Sequence, residues 1–261
     1  MKDAIAKYLP FVVGGFIGWL MFNPPQWLAL HGPLRTAIMI ALAIVLLVAF
    51  IVYSISNSVP GNVVLAPHAG PVDAGISAHA ERIQSLGFVA AGPPCRVEIK
   101  PAVTLLPFVH GSEPVYATVF RTGTVPAVTA FDFVTILDGF RGGLTTSADS
   151  RGGTLPAGPG EFRQIVDGAG IESAYRLHLE GAAWLRSQGL PAKRVSAQEF
   201  NADFKTALAR QRAGFSAAPL RYALTALWRS ISKRHPHNGA LASQSAAAVQ
   251  VRELQTGRRG T

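Results

Sequence analysis

Two side chains in this 261-residue chain are of the types and in the settings that could make an acid–base pair: Asp132 and His178. Asp132 falls in a strand-like run, Ala127 to Leu137, and by alternation shares a face with Val128, Ala130, Val134 and Ile136. A carboxylate among apolar neighbours needs a partner or has its pKa raised, the state in which it can act as a general acid. The alternative is that it faces a groove and pairs with an arginine, Arg121 or Arg141. His178 sits in a helical pattern among Ala174, Tyr175, Leu177 and Ala182. It could serve as a general base, and the same setting suits a hydrogen-bonded histidine at the margin of a core.

The remaining reactive side chains form no further constellation. His68, His79 and His110 lie on separate elements, while His235 and His237 flank Pro236. No H-x-x-x-H or H-E-x-x-H spacing occurs, so zinc chemistry has no support and neither a metal nor a cofactor is expected. Cys95 is the single cysteine, which excludes an intramolecular disulfide and fits a small buried residue better than a nucleophile. There is no nucleophile elbow, P-loop or dinucleotide fingerprint. Gly142-Gly143 and Gly152-Gly153 lack the lysine or helix start that a phosphate cradle needs, and Thr145-Thr146-Ser147 offers hydroxyls without an evident base.

The elements that must position these residues divide into an anchor, a domain and a tail. Thr36 to Ile55 is an unbroken run of twenty uncharged, mostly apolar residues. As a helix it would be roughly 30 Å long, the thickness of a bilayer's hydrocarbon core. A shorter run, Leu9 to Phe22, follows Lys2 and Lys7 and stops before Pro24-Pro25. It reads as a first span over 8–22, with a signal peptide or an interfacial segment as the alternatives. Gly14 and Gly18, and Ala37 and Ala41, have the four-residue spacing that lets membrane helices approach closely. Residues 1–60 are thus expected to form a transmembrane helical hairpin, with spans about 8–22 and 36–55, in the inner (plasma) membrane of a bacterial type of cell. Lys2 and Lys7 then keep both ends, and the main domain, cytoplasmic. A single span would instead leave that domain extracytoplasmic.

Residues 61–213 read as an α+β domain, an antiparallel β-meander packed with helices. Asp73 caps a helix whose apolar face is Ile76, Ala80, Ile83 and Leu86, ended by Gly87. Strands follow at 95–100, 103–109 (pushed to an edge by Pro107), 115–122, 127–137 and 144–147, with Asp138-Gly139 as a hairpin signal. After a loop, 148–160, comes a short strand near 162–166 and then a helix, 172–187, closed by Gly189. A second helix opens with the capping-box pattern Ser196 and Glu199, and its apolar face is Phe200, Phe204, Ala207 and Leu208.

The net charge of +9 resides at the C-terminal end. Residues 61–204 carry 11 Lys and Arg against 13 Asp and Glu, whereas 205–261 carry 10 against Glu253 alone. Within 214–234, Leu220, Leu224, Leu227 and Ile231 recur as one helical stripe edged by Trp228. Arg221, Arg229, Lys233 and Arg234 supply cationic flanks, the pattern of a basic amphipathic helix lying on an anionic lipid surface. The competing reading packs the stripe on the sheet. From 235 to 261 the Ala, Ser, Gln and Gly content predicts disorder. Nucleic acid has no support, because no binding fold accompanies the charge. The expected function is therefore membrane-anchored binding, of a lipid surface or of a protein partner. The rival is a membrane-anchored enzyme using Asp132 and His178 in one cleft.

Overall fold

The computed structural model describes residues 33–58, 64–97, 103–122, 128–140, 142–148, 157, 160–232 and 239–258. The chain divides into two compact units, 1–56 and 57–261. The first is represented by α1 (Pro33–Ser58), a 26-residue helix that contains the whole apolar run and is about 39 Å long. Among the described residues no helix is long and apolar enough to cross a membrane. The expected hairpin is accordingly not shown. Its first span, 8–22, with Gly14 and Gly18, lies outside the described residues, and within α1 side chains are described only at 37–38, 40–50 and 52–53. Ala37 and Ala41 are exposed on that helix.

The second unit is an α+β domain built on a mixed sheet of eight strands. They are β1 (Leu65–Pro67), β2 (Phe88–Ala90), β3 (Cys95–Val97), β4 (Val103–His110), β5 (Tyr116–Thr122), β6 (Thr129–Ile136), β7 (Gly143–Ser147) and β8 (Glu161–Ile165). The order is β1-β3-β4-β5-β6-β7-β8, with β2 also paired to β4. From β4 to β7 the connections are short and the pairing antiparallel, as a meander requires. The departure comes at β8, which runs parallel to β7. A parallel neighbour needs a long return connection, and residues 148–160 provide it.

Pro107 does not mark an edge. It lies inside β4, opposite Thr118 of β5. On the other side β4 changes partner, pairing with β3 up to Leu105 and with β2 from Phe108. The Pro107 carbonyl accepts the Ala91 amide at 2.9 Å, so the missing N–H would have pointed into that handover.

Helices α2 (Ala74–Ser85) and α3 (Ile171–Ser187) cover one face of the sheet. Asp73 caps α2 through the Gly75 amide, and Ile76, Ala80 and Ile83 pack against Phe88, Phe131 and Phe133. Helix α4 (Phe200–Ala217) covers the other face, where Phe200 joins Tyr116, Val97 and Leu105. The expected capping box is not formed, for α4 starts only at Phe200. The Ser196 hydroxyl bonds the Glu199 carboxylate rather than an amide, and Lys193 also approaches that carboxylate.

Two corrections concern the C-terminal region. Helix α4 continues past residue 213 to Ala217, and α5 (Pro219–Ser232) begins after a break at Ala218. Proline at the first helical position suits that restart. The expected disorder of 235–261 also fails for the described part, which forms a 3-10 turn, Leu241–Ser243, and α6 (Ser245–Arg258). Leu241, Ala247 and Val251 close a second core with Leu144, Phe162, Leu185 and Leu190.

Candidate functional site

The register of the sheet decides how the two candidate catalytic residues relate. On β6, Phe131, Phe133 and Thr135 point toward α2 and α3, and Asp132, Val134 and Ile136 point toward α4. His178, on α3, is fully buried and bonds Thr135 Oγ1 through Nε2 at 2.9 Å. Asp132 opens into the groove beneath α4. The two therefore occupy opposite faces of one sheet, and the shared cleft of the enzyme reading does not exist.

What His178 does is structural. Its Nδ1 lies 2.9 Å from Thr146 Oγ1, whose hydrogen is donated to Gln164 Oε1 at 3.0 Å. Thr146 must then accept from Nδ1–H, which leaves Nε2 as acceptor for the Thr135 hydroxyl. The Gln164 amide continues the chain to the Leu177 carbonyl of α3. Thr135, Thr146, Gln164 and His178 are all buried, and the network ties α3 to three strands. Burial pushes the imidazole pKa down to about 3, so it stays neutral. Gly181 completes the fit, since a Cβ there would stand 2.5 Å from Gln164 Oε1.

The groove on the other face has a volume of about 270 Å³. Cross-strand pairing arranges its floor in rows. Thr118, Asp132, Ser147 and Ile165 form one, and Tyr116, Val134, Thr145 and Arg163 the next. Phe200, Phe204, Ala207 and Leu208 of α4 make the wall, the apolar face expected from the sequence. Glu161, Arg163 and Arg210 escaped the sequence reading. The alternation in Glu161-Phe162-Arg163-Gln164 was the available signal, because it sends both charges to the face opposite Phe162.

Most charges in the groove are matched nearby. Arg163 Nη2 bonds Glu161 Oε2 at 3.1 Å, and Lys193 Nζ lies 3.2 Å from both Asp203 oxygens. The Tyr116 phenol reaches the Ser196 carbonyl at 2.9 Å and Asp203 at 3.1 Å. Burial first, and then the Asp203 carboxylate, raise its pKa, so it remains a donor. Asp132 makes a contact of its own; of the arginines expected to pair with it, Arg121 pairs with Asp73 and Arg141 lies outside the described residues. Arg210 differs. Its Nε is buried and has no hydrogen-bond partner among the described residues.

The other reactive groups serve the fold. Cys95 is buried against the Leu105 carbonyl, and burial raises its thiol pKa. His110 accepts the Ser112 and Glu113 amides and bonds the Leu86 carbonyl, latching a turn. Cβ atoms on Gly142 and Gly143 would stand 2.1 and 2.6 Å from the carbonyl oxygens of Gly160 and Thr135, so this pair serves close backbone approach. Among the described residues no His, Cys, Asp and Glu cluster could hold a metal.

A second surface lies on α5. Among its described side chains Tyr222 and Ala223 are buried, with Tyr222 edge-on to Phe215 of α4. Leu220, Leu224 and Trp228 are 57%, 47% and 67% exposed, and Arg221 is exposed beside them. Leu220 and Leu224 of the apolar stripe are thus exposed with Trp228, and the side chains of Leu227 and Ile231 lie outside the described residues. Arg229 belongs to α5 with its side chain outside the described residues, as are Lys233 and Arg234 altogether. No family model matches the chain, and comparison with curated proteins and with solved structures likewise finds no match.

Proposed function

We propose that this is a membrane-anchored binding protein whose folded domain makes a second contact with an anionic lipid surface through α5. The observation that carries the reading is the outward stripe of Leu220, Leu224 and Trp228, with α5 held to the domain by Tyr222 and Ala223 instead. Large apolar side chains at i, i+4 and i+8 beside an exposed arginine suit the boundary between headgroups and acyl chains. Anionic headgroups add on the order of 1 kcal/mol for each basic residue that reaches them.

The anchor rests on α1, where Ile40, Ile44, Val45 and Leu47 are all exposed. A helix apolar on several faces belongs in lipid or among other helices. In this reading residues 8–22 supply the first span, and the domain sits on the cytoplasmic side of an inner membrane. Tethering raises the effective concentration of lipid at α5, so a weak second contact suffices.

Fragment 57–261, a compact unit by itself, provides the test. It should float with vesicles rich in anionic lipid, and Leu224→Ser with Trp228→Ser should abolish flotation. Equal flotation of both proteins would remove the α5 contact, and capture of a soluble protein by the same stripe would redirect it to a partner. Separately, full-length chain released from membranes by alkaline carbonate would end the anchor.

A further inference from the structure

We propose that the groove between α4 and the sheet binds a small amphipathic carboxylate. Its apolar body lies between Phe204 and Leu208 on one side and Val134 and Ile136 on the other, and its carboxylate meets Arg210. No residue of α5 lines the site, and it does not depend on membrane contact.

The apolar part follows from the lining, which places aliphatic and aromatic side chains on opposite walls. About 270 Å³ is just below the usual range of ligand pockets, which suits a ring or short chain rather than a long acyl tail. The polar part follows from Arg210. A guanidinium is always charged and offers only donors, so a buried Nε–H without an acceptor is costly. An ionised acceptor repairs this about twice as well as a neutral one, and a carboxylate matches the planar guanidinium edge.

The carboxylates that line the groove limit the ligand to one negative charge. Glu161 is matched by Arg163 and Asp203 by Lys193, whereas Asp132, which makes a contact of its own, keeps Oδ1 buried with no hydrogen-bond partner among the described residues. Among the described residues the Arg210 Nε–H is the buried donor left without an acceptor. A dianion such as a phosphate monoester would place its second charge among three carboxylates in the same groove, which disfavours it.

The test uses full-length protein in detergent with 4-phenylbutyrate as probe and its neutral amide as control, read by saturation-transfer NMR and calorimetric titration. The acid should bind saturably, and the amide and Arg210→Gln should each weaken binding by about tenfold or more. Ala207→Trp, which fills the groove, should abolish binding. Without ligand, Arg210→Gln should keep or raise the melting temperature, because it deletes a buried unsatisfied donor; a merely structural arginine would lower it. If Arg210→Gln fails to fold, the acid and amide on the native chain decide the matter. Equal affinity for acid and amide, equal binding by Arg210→Gln, or no saturation up to about 10 mM would each overturn the proposal.

Discussion

Asp132 and Thr135, three residues apart on one strand, point through opposite faces of the sheet, and of the two only Thr135 reaches His178. The period of two in an extended chain imposes this. It separates two jobs that the sequence allowed to be one. The imidazole locks α3 to the sheet in a dry interior, and the carboxylate belongs to a groove roofed by another helix.

The neutral, buried imidazole makes stability depend on pH. Its pKa is about 3 when folded, against about 6.5 when unfolded, so between these values the unfolded chain binds the extra proton. The stabilising difference is complete above about pH 6.5 and is lost as pH falls toward 3, by about 2 kcal/mol between pH 7.5 and 5. Urea unfolding of fragment 57–261 at the two pH values measures it. His178→Gln should flatten the dependence, and an unchanged slope in that variant would assign the acid sensitivity to other groups.

Gly181 is the weak point of the same network. In Gly181→Ala the new methyl would meet Gln164 Oε1 at 2.5 Å and Leu144 Cδ2 at 3.0 Å. Neither neighbour can withdraw, since both are fully buried and Gln164 also holds Leu177. Overpacking of this kind costs about 1–3 kcal/mol, against the gain of a few tenths to 1 kcal/mol that alanine brings in an open helical site. Denaturant unfolding should therefore show net destabilisation.

Legibility followed the locality of the signal. Helix α2 could be read to its cap because Asp73, the spacing of Ile76, Ala80 and Ile83, and Gly87 are contiguous. The apolar face of α4 was equally plain. The groove opposite it was not, because Arg163, Glu161 and Arg210 meet only once β8 has turned parallel to β7. Pro107 misled for the same reason, as its tolerance depends on two other strands exchanging places beside it. The direction of the α5 stripe was undecidable from periodicity, which shows that a face is apolar but not what covers it.

The C-terminal region makes the sharpest contrast between composition and packing. Its alanines, serines and glutamines resemble a disordered tail, yet Val251 is 3% exposed among Leu144, Phe162 and Leu185 while Val249, two residues away, is 47% exposed. Small residues such as Ala247 let α6 come close enough for few apolar side chains to suffice. Val251→Asp would bury an unpaired charge and should destabilise the domain by about 3 kcal/mol or more, whereas Val249→Asp should stay within about 0.5 kcal/mol. Both variants have the same composition and net charge, so a disordered tail would tolerate them alike. Equal unfolding midpoints would place α6 outside the folded core, and a large gap between them establishes that the core is finished only by the last helix of the chain.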